Sequence, residues 1–167
     1  MKRFILNTCL FFLMSPMGTH NLNAQKMSIE HELPKEYEFR IKRDTADADM
    51  ILASYEAVNR ATGTAPFEIM VSDMDVSLMP KTMEEWIGSI LEVIKNHSPA
   101  AKLETIKEEE NRKLYLIKSG DDTGILLILM KKTAARFVMI EAEIPQKELL
   151  VVSMDRWAEV FWNAATD

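Results

Sequence analysis

The feature that most constrains the fold is a series of four apolar stretches between Lys102 and Pro145. Polar turn segments, "EEENRK", "SGDDTG" and "KKTAA", separate these stretches. Short runs of β-branched and other apolar residues bounded by such turns are typical of neighbouring antiparallel strands. The sequence therefore predicts a four-stranded meander. The run Ile125–Met130 is apolar on both sides of the pleat, which predicts a central strand.

Two adjacent aspartates, Asp121 and Asp122, lie in the second of these turn segments. Neighbouring carboxylates could serve catalysis or hold a metal, so two interpretations compete. Gly120 and Gly124 flank the pair. Glycine supplies positive φ angles and aspartate bonds to turn backbone, as a hairpin loop requires. We interpret the aspartates as the tip of a hairpin.

Two segments have the three- and four-residue apolar spacing of amphipathic helices. The first, at 81–96, begins with Thr82 and Glu85 in the arrangement of a capping box. The second is predicted near 147–164. With the meander, these segments predict a single α+β domain at 50–167, in which an antiparallel sheet packs against two amphipathic helices.

Upstream of the first helix, the pattern predicts further strands. The segment "APFEIMVSDMDVSL" alternates clearly, whereas "MILASYEAVNRATG" fits a strand or a helix, and we favour a strand. Residues 25–49 are mostly polar and predict an N-terminal arm. A brief alternation at Tyr37, Phe39 and Ile41 leaves a short first strand open there.

Residues 1–24 have the layout of a secretory signal peptide. Lys2 and Arg3 precede an apolar run, and Ala24 offers a small residue for cleavage. The run is too short for a membrane-spanning helix of ~20 residues. We therefore expect an exported protein, periplasmic or secreted. The only cysteine, Cys9, lacks the small-residue context of a lipidation site, and it would leave with the leader, so we expect no disulfide.

Charge argues against nucleic acid as a partner. The first 24 residues hold two basic and no acidic residues, so the remaining chain has 18 basic against 26 acidic residues, a formal charge of −8. Binding to nucleic acid depends on neutralising phosphates. The catalytic and nucleotide-binding motifs that we sought are absent, which predicts a protein that is not an enzyme and has no cofactor. As an alternative, Asp73 and Asp75 share one side of a strand end and could form an acid–base or cation-binding pair in a small hydrolase or a ligand-binding module.

Methionine is frequent in the predicted domain. Met70, Met74 and Met79 surround the exit of a predicted strand. Methionine fills irregular gaps in cores and also lines adaptable apolar binding surfaces. Core filling is the simpler interpretation, and a groove for an apolar partner is the alternative.

The order of elements resembles the PsbP/Mog1 superfamily, and within it the DcrB-like envelope proteins. The resemblance lies in "APFEIMVSDMDVSLMP", the helix around "MEEWIGSIL", the meander, and "FVMIEAEIP" leading into a terminal helix, from about Ala65 to Ala165. It implies an antiparallel sheet between helices and a binding or accessory protein, because some relatives chaperone apolar segments of secreted toxins. The expected function is an exported protein that binds another protein. An immunity protein against a basic toxin is a variant, and a small-molecule carrier is a further alternative.

Overall fold

In the part of the chain that the structure describes, an antiparallel sheet of seven strands carries three helices, which confirms the α+β prediction in outline. The structure, a computed structural model, describes residues 34–46, 50–78, 82–120 and 123–164. The predicted leader lies outside these ranges. In chain order the elements are β1 Tyr37–Ala46, β2 Met50–Asn59, β3 Phe67–Asp75, a 3₁₀ turn Val76–Leu78, α1 Met83–His97, β4 Lys102–Glu109, β5 Arg112–Lys118, β6 Gly124–Lys132, β7 Arg136–Pro145, α2 Gln146–Leu149 and α3 Met154–Asn163.

The strand order is β1-β2-β3-β7-β6-β5-β4, so the sheet consists of two meanders joined where β3 pairs with β7. The predicted four-stranded meander is confirmed in β4 to β7. Strand β6 is internal, between β5 and β7, as its two apolar faces require. The β5–β6 hairpin pairing is also confirmed, although Asp121 and Asp122 lie outside the described residues.

The first strand lies within the segment that we predicted as a polar arm. β1 pairs with β2 along its length, with a bulge between Ile41 and Arg43. Its register places Tyr37 and Phe39 against the core, and Tyr37 is only 1% exposed. The strand β1 is therefore longer than the brief apolar alternation predicted, because backbone pairing with β2 and the two aromatic rings stabilise it.

The capping box predicted for the first helix is confirmed. The Thr82 hydroxyl accepts a hydrogen bond from the Glu85 backbone N–H at 3.2 Å, and the Glu85 carboxylate accepts one from the Thr82 N–H at 2.9 Å. Both bonds satisfy donors that have no partner inside the helix. The cap thereby sets the start of α1 at Met83.

The second predicted helix is divided into α2 and α3, so its description as one helix was wrong. A turn at 150–153 separates them, and the Ser153 hydroxyl accepts a hydrogen bond from the Arg156 N–H at 3.3 Å. A serine in this position starts a new helix because its side chain replaces the missing intrahelical partner. No helix in the four described ranges has the length and apolar character needed to cross a bilayer.

The two faces of the sheet carry separate cores. On one, which we call the α3 face, Trp157 packs edge-on against Tyr37 and Phe67, with ring centroids 5.3 Å apart in both pairs. On the other, the α1 face, the apolar stripe of α1 packs over strands β5, β6 and the start of β7. The two faces are covered to different extents, and this difference defines the candidate site.

Candidate functional site

Helix α1 covers only part of its face of the sheet. A helix is ~10 Å wide, whereas seven strands spaced ~4.8 Å apart span roughly 29 Å. On the covered part lie the buried residues Tyr115, Ile117, Ile128, Met130, Phe137 and Met139. We call the remainder the open face. On strands β2, β3 and β7 its described side chains are Leu52, Ser54, Glu56, Glu68, Met70, Ser72, Glu141 and Glu143, and β1 adds others, including Arg40 and Lys42.

One row of paired residues crosses the boundary between the covered part and the open face. Strand pairing aligns Ser54 with Met70, Met70 with Glu141, and Glu141 with Ile128. Exposure changes along this row, because Ile128 is fully buried while Met70 and Ser54 are half-buried. Glu141 therefore lies where the core ends and the open face begins.

Glu141 is a buried carboxyl without a compensating group. Its exposure is 9%, and no hydrogen bond or ion pair joins it to any residue in the described part of the chain. Burial raises the pKa of Glu141 to about 7, because the charged form is poorly solvated among apolar neighbours such as Met139 and Ile128. Glu143, two residues along the same strand and face, is exposed instead.

An unpaired buried carboxyl is costly for the fold, and such groups cluster at functional sites. At neutral pH the Glu141 side chain can hold a proton or release it. When ionised it can accept hydrogen bonds from an incoming cationic group, since a carboxylate is an acceptor on both oxygens. The arrangement is therefore suited to binding a donor from outside the domain.

Other charges surround Glu141 at the open face. Lys42 of β1 pairs with Glu68, and its Nζ lies 3.9 Å from Oε1 of Glu56. Farther from Glu141, Arg40 lies across from Glu56 in the strand pair, and Glu38 pairs with Arg40 and Arg60. Nearer Glu141 are the carboxylates of Glu68 and Glu143, with Lys42 paired to Glu68, so acidic groups outnumber basic ones among the described side chains of this half of the face.

The predicted methionine groove is only partly on this surface. Met70 is half-buried on the open face, directly beside Glu141. Met74 is 6% exposed and belongs to the core under α1, where it fills space rather than lining a groove. Met79 lies outside the described residues. The structure thus brings Met70 to the candidate site and places Met74 in the core.

The predicted aspartate pair lies at the end of β3, and each member has a partner. The Asp73 carboxylate accepts a hydrogen bond from Arg136 Nε at 2.8 Å, and Arg136 also donates to the Asp73 carbonyl at 3.0 Å. Asp75 accepts from the Ser77 N–H at 2.8 Å. Hydrogen bonds from Ser77, led by that of its side chain, hold the pKa of Asp75 below its usual value. These contacts fix the strand end and the 3₁₀ turn that follows it.

Metal binding has no evident site in the described ranges. They contain no group of three or more His, Cys, Asp or Glu side chains placed to hold a metal ion. An open cleft of about 450 Å³ also exists near the start of β1, lined in part by Pro34, Glu36, Val151 and Arg156. Most of its lining side chains are exposed and none of its charged ones is buried, whereas Glu141 is 9% exposed, so Glu141 is the better centre for a site.

No protein-family model matches the chain, and no curated protein matches it either. The candidate site therefore depends on its geometry alone. Sequence reasoning missed Glu141, although a signal was present in "FVMIEAEIP". There Glu141 and Glu143 alternate with Ala142 and Ile144, which predicts one polar side of a strand. The alternation could not show that one glutamate is buried and the other exposed.

Proposed function

We propose that this protein is a non-enzymatic accessory protein of the cell envelope that binds another protein through its open face. The observation that carries the proposal is the half-covered side of the sheet, with the unpaired carboxyl of Glu141 at its boundary. Sheets bury their apolar face against another layer. Here Met70 beside that carboxyl, and Leu52 two strands from it, remain half-buried, which suits them to a layer supplied by a partner.

Export is part of the proposal and draws its support from the sequence. The basic residues, apolar run and cleavage residue of the first 24 positions are those of a signal peptide. The formal charge of −8 beyond that segment suits a periplasmic or secreted protein. The resemblance to PsbP/Mog1-like and DcrB-like proteins adds support, because an antiparallel sheet with helices on both faces is the expected outline.

A binding role is supported over catalysis by the state of the candidate acids. Within the described ranges, no second titratable side chain forms a hydrogen bond or ion pair with Glu141. Asp73 and Asp75 are engaged by Arg136 and Ser77. General acid–base chemistry needs groups within hydrogen-bonding reach of each other or of a substrate proton. The geometry favours recognition of a partner.

Site-specific photo-cross-linking in the native host tests this proposal. A photoreactive phenylalanine analogue replaces Ser54 on the open face, and in a matched control it replaces Glu159, an exposed residue of α3 on the opposite side. We expect one reproducible protein partner to cross-link from position 54 and not from position 159. Equal labelling from both positions, or none from position 54, would contradict the proposal.

A further inference from the structure

The open face also specifies the chemistry of the segment that it binds. We propose that it takes a segment of a partner protein in which a lysine or arginine is flanked by apolar residues, with the cation placed against Glu141. This inference rests on the proposed function and makes it more specific.

No side chain in the described ranges donates a hydrogen bond to Glu141. The side chain is nine-tenths buried, and its row neighbours are the apolar Met70 and Ile128. Neither neighbour can donate a hydrogen bond to a carboxylate. A cationic donor suits it best, since charge-assisted hydrogen bonds are about twice as strong as neutral ones, and arginine can bind a carboxylate through two of them.

Apolar side chains share the open face with this carboxyl. Met70 and Leu52 lie on the open face and are half-buried, outside both cores. Methionine is flexible and polarisable, so it adapts to apolar groups of different shapes. Neighbouring strands are ~4.8 Å apart, and alternate residues along a strand are ~6.6 Å apart. An apolar side chain beside the cation of a bound segment therefore comes within reach of Met70, and one farther along the segment comes within reach of Leu52, two strands away in the next row.

The charge of the open face also bears on the segment that it binds. Closest to Glu141 the described side chains carry the carboxylates of Glu68 and Glu143, with Lys42 paired to Glu68, while Arg40 lies across from the more distant Glu56. An excess of one sign attracts a partner of the opposite sign and disfavours segments of the same sign. An acidic segment would place like charges together at this surface, whereas a basic one would neutralise them.

A library of random dodecapeptides displayed on phage, selected on the purified protein, tests the inference. We expect selected peptides to be enriched in a lysine or arginine between apolar residues. The affinity of a synthetic representative should fall at least about tenfold in Glu141→Gln, because the buried charge pair is lost. It should fall less than about threefold in Glu143→Gln, which removes an exposed carboxylate from the same strand and face.

A peptide with norleucine in place of its cation completes the test as a double-mutant cycle. This peptide should bind the original protein and Glu141→Gln equally. Enrichment of apolar peptides without a cation, bound equally by both proteins, would overturn the inference and leave the proposed function standing. The variant Ser54→Arg places a large side chain on the open face and should weaken any peptide bound there. If no selected peptide loses affinity for this variant, both the inference and the proposed function would be contradicted. Full displacement by butylamine at the affinity of the peptide would mean a small amine ligand and would also overturn the inference. Thermal unfolding of each variant confirms that it is folded.

Discussion

The hydroxyl of Tyr37 donates a hydrogen bond to Oε2 of Glu148 over 2.5 Å, and this contact ties β1 to α2 across 111 positions of the chain. Both residues are buried, with exposures of 1% and 7%. Burial, reinforced by the bond to Glu148, raises the pKa of Tyr37 well above its ordinary value. The hydroxyl therefore stays protonated and remains a donor at all physiological pH values.

Replacing Tyr37 with phenylalanine should lower the free energy of unfolding by about 2 kcal/mol, because it removes a donor from a buried carboxylate. Only Lys147, whose Nζ is 3.7 Å from Oε1, then pairs with Glu148 among the described residues. Urea unfolding at pH 7 measures the change. In a cycle with Glu148→Gln we expect a coupling of about 1 kcal/mol or more. Strictly additive effects would mean that the bond contributes nothing.

The stability of the protein should depend on pH through Glu141. The pKa of this carboxyl is about 7 in the folded chain, against an ordinary value of 4.5. Below pH 4.5 Glu141 is protonated in both the folded and the unfolded state, so the free energy of unfolding does not depend on its titration and is at its highest. Between pH 4.5 and about 7 the unfolded state loses its proton first, so the free energy of unfolding falls as pH rises. Above about pH 7 the free energy of unfolding is lower than below pH 4.5 by roughly 3 kcal/mol.

Glu141→Gln should remove this dependence, because glutamine stays neutral at every pH. We expect the variant to be about 3 kcal/mol more stable than the original protein at pH 8 and nearly equal to it at pH 4. Urea midpoints measured across this range provide the comparison, with the exposed Glu143→Gln as the control. A stability difference that is the same at both pH values would show that burial does not shift the titration of Glu141.

Two glycines should respond to alanine in opposite directions. Gly88 lies inside α1 with open space around the position of an added Cβ, so Gly88→Ala should stabilise the protein by about 0.8–1 kcal/mol. A Cβ on Gly124 would come 2.5 Å from the backbone oxygen of Ile144 in β7. Because backbone cannot move aside easily, Gly124→Ala should destabilise by roughly 1–3 kcal/mol. Thermal unfolding distinguishes the two, and a loss of stability in Gly88→Ala would contradict the geometry of α1.

Substituting the aspartates at the end of β3 should change the stability of the protein and should leave its response to metal ions unchanged. Asp73→Asn weakens a partly buried ion pair with Arg136, and we expect a loss of about 1 kcal/mol in the free energy of unfolding. Calorimetric titration with Ca²⁺ or Mg²⁺ should give the same trace for the original protein and for the variant with both Asp73→Asn and Asp75→Asn. A heat of binding that disappears in the double variant would support the cation-binding alternative instead.

Local signals made much of the fold predictable. Thr82 and Glu85 lie three positions apart, so the capping box is visible in the sequence itself. The meander was predictable because its strands are neighbours in the chain and their turns carry polar or glycine-rich segments. Ser153 was an equally local signal for the start of α3. It was missed because the apolar stripe continues through 150–153 and suggested one unbroken helix.

Other features depend on contacts between distant segments. The burial of Glu141 requires β3, β6 and the part of the sheet under α1 to come together around it. The sequence near Glu141 shows only a strand with one polar side. Met74 looked equally suited to a groove or to a core, and the packing of α1 decided between them. The extent to which one helix covers a seven-stranded sheet is a property of the assembled layers.

The pairing of Met70 with Glu141 lies on the junction of the two meanders. Within each meander, neighbouring strands are close in the chain and can associate early in folding, whereas β3 and β7 close a long loop and are expected to associate late. The proposed binding surface would therefore not exist until both halves have joined, so a partially folded chain could not engage a partner through it. A segment bound across Met70 and Glu141 contacts both halves at once. Such a partner should slow the separation of the two halves and thereby lower the unfolding rate of the folded domain.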